Sequence, residues 1–221
     1  MFVLYKLKKE EKDLKILSID TSSTLCSVAV LDDENLIYIE NMETENSHSN
    51  NLLTIIDTVL KHCKITLNDI GLIATNVGPG SFTGIRIGIA TAISFCDVLH
   101  MDCSPSSSLE ALAYISNLHN TYICPVIEEK NNSCFFAVYM LNANNLLVTV
   151  VPPQIGDIRH FKDYLKDYEN IKYIQNQKHT AYHTGLASYY KYINGITQTI
   201  EPLYLKRPQA EIQLEEKLNG N

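Results

Sequence analysis

The chain of 221 residues lacks closely spaced cysteines and long apolar runs. Its six cysteines form no C-x-x-C pair, and most lie in apolar segments, where a free cysteine behaves as a small buried hydrophobic residue. No signal-peptide pattern is visible, so we expect a reducing, cytoplasmic environment. The longest apolar run, residues 85–99, contains Arg86 and Asp97 and is short for a membrane span. We therefore expect a soluble protein without membrane contact.

Positive charge is also scarce. The chain has 18 Lys and Arg residues against 25 Asp and Glu residues, which gives a formal net charge of −7. Because binding to nucleic-acid phosphates needs a Lys/Arg surface, this balance argues against a nucleic-acid interface on this chain alone. The hydrophobic share of 45% is sufficient for a packed core.

Hydrophobic periodicity divides the chain into two similar series of elements, both in the order β-β-β-α-β-α. Residues 1–13 have no clear period and are predicted to be an extension. The first series is predicted as strands 16–20, 26–31, 36–40 and 70–76 with helices 49–63 and 83–98. The second is predicted as strands 122–127, 134–141, 146–151 and 171–175 with helices 157–166 and 182–192. Two such lobes make an α/β protein, with lobe I at 14–106 plus the segment 201–221 and lobe II at 107–200.

A glycine-rich segment, residues 78–88, joins a predicted buried strand to a helix. Glycine permits positive φ and close backbone approach, while Ser81 or Thr83 can cap the helix. The free N–H groups at such a helix start can also hold an anion. The spacing matches neither a P-loop nor G-x-G-x-x-G, so neither nucleotide motif applies. The loop residues singled out are Gly78, Pro79, Gly80, Ser81, Phe82, Thr83 and Arg86.

Both predicted helices of the first lobe carry more small or apolar surface than one sheet contact needs. In the second helix small residues recur every four positions, which lets another helix approach closely. In the first helix the apolar face is unusually wide. One stripe can face the sheet and the other a partner, although tight packing within the chain explains the same pattern. The residues predicted for a partner interface are Leu52, Leu53, Ile56, Leu60, Gly84, Ile85, Gly88, Ile89 and Ala92.

Three segments resemble one known family. Residues 16–22, 77–92 and 107–113 are similar to TsaB, also called YeaZ, the dimerization subunit of the bacterial tRNA threonylcarbamoyladenosine (t6A) machinery. The resemblance is strongest over residues 15–115. It implies an actin/hexokinase/Hsp70-like (ASKHA) fold of two β-β-β-α-β-α lobes, in agreement with the repeated order of elements.

The resemblance also separates this chain from the catalytic paralogue, TsaD. That relative carries a metal-binding His-x-x-x-His where this chain has Ser108 and Leu112, and neither side chain can replace an imidazole. The family's Fe/Zn site should therefore not form, and no catalytic residue, metal or cofactor of its own is expected. The family's Asp-Ala-Arg in the second lobe is replaced by Glu128-Glu129-Lys130, whose role is open.

The resemblance implies a non-catalytic scaffold. Such subunits pair with the TsaD-like subunit through their first two helices, and the pair recruits a TsaE-like P-loop ATPase. The complex modifies adenosine 37 of tRNA, so tRNA is met only through the complex, and binding of a nucleotide at the subunit boundary is left open. A homodimer is implied when the partner is missing. The alternative is an enzyme in its own right, either an ATP-dependent phosphotransferase or a metal-dependent acyl transferase.

Two smaller groups of residues bear on that alternative. Asp20 and Thr21 lie where phosphotransferases of this superfamily place an acidic residue near phosphate and metal. An aspartate that caps a turn has the same sequence pattern, and it is the favoured interpretation. His179 and His183, at i and i+4, could clamp a metal, but no third ligand is evident, which favours surface histidines.

Overall fold

The computed structural model describes residues 13–43 and 48–206, with side chains described from Asn51 onward in the second range. Residues 1–12 of the predicted extension and residues 207–221 of the predicted tail lie outside the described part of the chain. The described residues form two mixed β-sheets with helices on their faces, which confirms the predicted α/β class.

The first sheet has five strands. They are β1 (Lys15–Asp20), β2 (Leu25–Asp32), β3 (Asn35–Glu43), β4 (Leu72–Asn76) and β5 (Asp102–Ser106). Their spatial order is β3-β2-β1-β4-β5, with β1, β2 and β3 antiparallel and β4 and β5 parallel to β1. Each parallel strand follows a helical crossover, as parallel pairing requires.

The second sheet has four strands in the order β8-β7-β6-β9. They are β6 (Tyr122–Glu128), β7 (Ser133–Leu141), β8 (Leu147–Asp157) and β9 (Ile171–Ile174). The triplet Glu128-Glu129-Lys130 lies at the turn between β6 and β7, where the Glu129 N–H donates to the Ser133 carbonyl at 2.8 Å.

Four α-helices accompany the sheets in the described residues. They are α1 (His48–Cys63), α2 (Phe82–Leu99), α3 (Ser108–Ala113) and α4 (Ala181–Ile193). Because successive side chains of a strand point to opposite faces, β1 contributes to two separate cores. Leu17 and Ile19 pack with α1 and α2 on one face, whereas Ile16 packs with Ala181 of α4 on the other.

Helix α4 belongs to the second half of the sequence but lies across the first sheet. It contacts β1, β2, β4 and β5, and it also packs against α3. Gly185 makes the approach close, because a Cβ at that position would lie 2.8 Å from the Leu31 side chain. The first sheet is therefore covered by α1 and α2 on one face and by α4 on the other.

The structure differs from the prediction at two elements. Strand β5 was not predicted, since its sequence Asp-Cys-Ser-Pro-Ser contains no apolar run. The predicted helix 157–166 is wrong. Asp157 is the last residue of β8, and only Phe161–Leu165 is helical, as a short 3-10 turn whose Phe161 and Leu165 are buried.

Within the described residues, α2 is the one helix whose length and composition would allow a membrane span. Part of this apolar character serves the packing of the first lobe, where Ile85, Ile89 and Ala92 of α2 are buried.

Candidate functional site

The glycine-rich loop lies between β4 and α2, against the turn that joins β1 to β2. Gly78 has a φ of +99°, a conformation that side chains rarely adopt. A Cβ on Gly80 would lie 2.1 Å from the Ser22 carbonyl oxygen, so only glycine fits there. The Ser81 side chain accepts from the Gly84 N–H at 3.2 Å and caps α2. Of the two predicted capping residues, Ser81 is the one used.

Three N–H groups of this loop are already bonded within the chain. Gly78 N–H donates to Asn76 Oδ1 at 2.8 Å, Ser81 N–H donates to the Ser22 carbonyl at 2.6 Å, and Ser81 itself takes the Gly84 N–H. An anion held by these three groups would have to displace their bonds, and the loop in this arrangement packs closely on the β1–β2 turn.

The side chains of Phe82 and Arg86 contact Tyr204, in the last described segment of the chain. The Arg86 guanidinium lies 3.9 Å from the Phe82 ring centre, and its Nε donates to the Tyr204 hydroxyl at 2.8 Å. The Phe82 and Tyr204 rings stack at 4.8 Å. The Leu203 N–H donates to the Val77 carbonyl at 2.7 Å. Residues near 203 thus pack on the first lobe.

Asp20 is the centre of a buried polar network. Its Oδ1 accepts from the Ser22 N–H at 3.0 Å and the Ser22 hydroxyl at 2.7 Å. Its Oδ2 accepts from Asn76 Nδ2 at 2.9 Å and the Thr184 hydroxyl at 2.6 Å. The residue is only 2% exposed. The turn cap is therefore present, and each carboxylate oxygen already has two donors, which leaves little capacity for a metal or a substrate proton.

The same network contains Ser108, one of the two positions expected from the resemblance to correspond to the histidines of the catalytic paralogue. The Ser108 hydroxyl donates to Asn76 Oδ1 at 2.9 Å, and Leu112 is 1% exposed in the apolar core of the second lobe. Thr21, next to Asp20, donates its hydroxyl to the Gly84 carbonyl at 2.7 Å. In the described part of the chain, no three His, Cys, Asp or Glu residues are grouped as metal ligands would be.

The two histidines at the start of α4 are not surface residues, which corrects the sequence-based interpretation. His179 Nε2 lies 3.3 Å from Asp20 Oδ2 and 3.1 Å from the Ser22 hydroxyl, and its side chain is 10% exposed. His183 Nδ1 accepts from the Thr180 N–H at 3.2 Å and so caps α4. Burial, assisted by the nearby His179, lowers the pKa of His183 to about 4.

The predicted partner-interface residues are mostly buried, and that assignment is corrected. Leu53 is 61% exposed, whereas the other eight pack inside the chain. The small-residue stripe exists because α2 approaches the β1–β2 turn: a Cβ on Gly84 would lie 2.0 Å from the Thr21 carbonyl oxygen, and one on Gly88 would lie 2.5 Å from Thr21 Oγ1. The eight buried residues are Leu52, Ile56, Leu60, Gly84, Ile85, Gly88, Ile89 and Ala92.

The outward faces of α1 and α2 carry residues other than the eight buried ones. On α1, Leu53 is exposed beside Thr54 and Asp57, and on α2 Val98 is 75% exposed near Ser94. We call these surfaces the outer faces of α1 and α2. Sequence periodicity missed Val98 because it lies outside the small-residue stripe, at the end of the helix.

The fold and the network together define the class of protein. Each sheet begins with an antiparallel three-strand meander followed by a parallel strand, the architecture of the actin/hexokinase/Hsp70 (ASKHA) class. Asp20 lies at the end of β1, and its carboxylate is bonded to the chain itself.

Comparisons with known proteins identify the family. A family model described as TsaD, tRNA N6-adenosine threonylcarbamoyltransferase, matches residues 41–184. Proteins named tRNA threonylcarbamoyladenosine biosynthesis protein TsaB are similar over most of the chain. The Bacillus subtilis protein is 29% identical over 70% of this chain and 67% of its own length. The Haemophilus influenzae protein is 26% identical over 80% and 75%, respectively. The chain belongs to this family, as one of its TsaB (YeaZ) members.

Two further comparisons complete this picture. The TsaB protein of Buchnera aphidicola subsp. Schizaphis graminum is 36% identical over 61% of this chain, which spans 64% of that relative's length. The solved structure of YeaZ from Pseudomonas aeruginosa superposes with a TM-score of 0.73 at 19% identity, covering 87% of this chain and all of that chain. At that identity the superposition establishes the fold alone.

Proposed function

We propose that this chain takes part in tRNA threonylcarbamoyladenosine biosynthesis as a non-catalytic subunit that pairs with a TsaD-like catalytic subunit. The similar proteins of three bacteria bear that biosynthetic name. The observation that carries the proposal is the state of the two positions that correspond to the paralogue's histidines. Ser108 is hydrogen-bonded to Asn76, and Leu112 lies in the core.

This arrangement supports the proposal that the chemistry belongs to the partner. Transfer of a carbamoyl group needs a polarised electrophile and a group that accepts a proton. The neighbourhood of Ser108 offers a hydroxyl, an amide, the fully bonded Asp20 carboxylate and the His179 imidazole, whose Nε2 already faces Asp20 and Ser22. None of these groups is a metal site that would polarise an electrophile. In this proposal the chain supplies a surface and the TsaD-like subunit supplies the metal and the reacting groups.

The outer faces of α1 and α2 are the proposed contact with the catalytic subunit. Both helices pack on the same face of the first sheet, so their outer faces point away from the lobe together. A stable interface buries roughly 800 Å² per partner, which two helices can provide. We further propose that a TsaE-like ATPase joins the pair in the cytoplasm and that tRNA meets this chain only through the complex. A homodimer through the same faces forms when the partner is absent.

Co-expression with the TsaD-like subunit tests the placement of the contact. Leu53→Glu puts a charge on the outer face of α1 and is expected to weaken co-purification by at least about tenfold. Ile155→Glu on β8, a residue 44% exposed, is the matched control and is expected to leave pairing unchanged. Equal pairing of the Leu53 variant and the wild type would contradict the placement.

The enzyme alternative has a separate test. The purified chain alone is expected to retain no stoichiometric Fe or Zn and to turn over no ATP, whereas t6A formation is expected only when the catalytic subunit is added. Bound metal together with activity of the isolated chain would contradict the scaffold role.

A further inference from the structure

A cavity of about 430 Å³ lies between the two lobes, beside α4 and distant in sequence from the glycine-rich loop. One wall is the β2–β3 turn with Glu34, and the opposite wall is the β7–β8 turn with Asn145. Tyr114, Tyr182 and Tyr190 supply aromatic surface. The proposed pairing function uses none of these residues.

Hydrogen bonds hold these walls in a defined arrangement. The Tyr190 hydroxyl donates to Glu34 Oε2 and accepts from Asn145 Nδ2 at 3.2 Å. The Tyr114 hydroxyl donates to the Asn145 carbonyl at 2.8 Å, and the Tyr114 and Tyr190 rings stack at 5.7 Å. Tyr114 and Tyr190 are 7% and 8% exposed, so they form the fixed floor of the cavity, and Tyr182 is the more accessible of the three rings. Glu34 is itself exposed, and within the described residues only its Oε2 is hydrogen-bonded, which leaves Oε1 open to solvent or a ligand.

The charge of the cavity selects the sign of a ligand. Glu34 is the one carboxylate among the residues that line it, and no lysine or arginine is present there. His183 also lines the cavity, and because burial lowers its pKa to about 4 it is neutral near pH 7. An anion would meet a carboxylate with no compensating cation, whereas a cation would meet the carboxylate and the electron-rich faces of tyrosines.

We propose that this cavity binds the guanidinium group of a small molecule, stacked against the ring of Tyr182 and paired with Glu34 Oε1. A guanidinium is planar, stacks on aromatic faces and presents several N–H donors in a fixed fork. The side-chain amides of Asn35 and Asn117, which also line the cavity, offer further acceptors. A metal ion is less suited, because a single carboxylate faces the space.

Titration of the isotopically labelled chain with three probes tests the inference by NMR. Butylguanidinium is expected to give saturable shifts at the amides of Tyr114 and Asn145. Butylurea has the same shape without the charge, and butylammonium has the charge without the plane. Both are expected to bind at least about tenfold more weakly, since a charge-assisted hydrogen bond or the stacking is lost.

Two variants locate the site. Glu34→Gln keeps an acceptor for Tyr190 and is expected to weaken butylguanidinium binding at least about tenfold. Asp33→Asn removes the same charge one residue away, in the same turn but outside the cavity, and is expected to retain binding within about twofold. The inference is overturned if no saturable shifts occur, if they map elsewhere, if butylurea or butylammonium binds as well, or if both variants lose binding equally. The chain is titrated alone, so the result is independent of pairing with a catalytic subunit.

Discussion

At the scale of the residue, Gly84 shows how closely α2 approaches the β1–β2 turn. A methyl group there would lie 2.0 Å from the Thr21 carbonyl oxygen, a backbone atom that cannot move aside easily. Gly84→Ala is therefore expected to destabilise the chain by about 1–3 kcal/mol or more, as overpacking does. Urea denaturation followed by circular dichroism measures the change. Ser94→Ala, exposed on the same helix, is the control and should stay within about 0.5 kcal/mol. Wild-type stability of the Gly84 variant would contradict the packing.

His183 gives a prediction about pH. Burial lowers its pKa to about 4, whereas the unfolded chain titrates near the ordinary value of about 6.5. Between these values the unfolded state binds the proton and the folded state does not, so stability falls as pH decreases from about 6.5 to 4. The slope from this residue is at most about 1.4 kcal/mol per pH unit.

The His183→Asn variant isolates this effect. Asparagine offers an oxygen that can still accept from the Thr180 N–H, but it does not titrate. Denaturation at several pH values should show the wild type losing stability relative to the variant below pH about 6.5, with a constant difference above it. Parallel profiles throughout would contradict the shifted pKa.

At the scale of the element, a buried ion pair joins α4 to α3. Lys191 Nζ lies 2.8 Å from Glu110 Oε2 and donates to the Pro105 carbonyl at 2.9 Å, and the two side chains are 7% and 18% exposed. Lys191→Met leaves Glu110 without its counter-charge and is expected to cost about 2–4 kcal/mol. The same change at Lys61, whose pair with Asp57 is exposed, should cost under about 1 kcal/mol. Similar losses in a urea series would show that burial does not strengthen the first pair.

Periodicity predicted most of the first sheet and its helices. The apolar residues of β1 and the continuous apolar run of β4 carry a direct signal, as does the 3.6-residue period of α1. Strand β5 was not predicted because most of its residues are polar and it includes Pro105. Its serines bond to α4 instead of forming an apolar pattern: the Ser104 hydroxyl donates to the Ser188 carbonyl at 3.1 Å. The helix predicted at 157–166 is wrong because Phe161 and Leu165, two buried apolar residues four positions apart in a short turn, resemble a helical face.

The polar network could be predicted only in part. The turn around Asp20 is local, and a cap by this aspartate was the favoured interpretation of the sequence; in the structure Asp20 Oδ1 accepts from the Ser22 N–H. The partners Asn76 and Thr184 lie 56 and 164 residues away, and single small polar residues have no periodic pattern that would link them. The prediction of the partner interface had a related weakness, because an apolar stripe in a sequence does not show whether it faces the chain's own sheet or a partner.

At the scale of the whole molecule, α4 makes the two lobes interdependent. It covers one face of the first sheet while packing on α3 and the core of the second lobe. We therefore expect one cooperative unfolding transition. Thiol labelling in urea reports on each lobe, because Cys26 and Cys124 are both fully buried, one in each sheet. The two thiols should become reactive at the same urea concentration, and separate midpoints would contradict the coupling.

The same helix has a consequence for biosynthesis. The strands that α4 covers leave the ribosome long before Ala181–Ile193 do, since β5 ends at Ser106. Until the last part of the chain emerges, Ile16, Leu72 and Ala74 have no helix over them, and an uncovered apolar sheet face is prone to association. The nascent first lobe is thus a natural client for chaperones that shield exposed hydrophobic surface during translation.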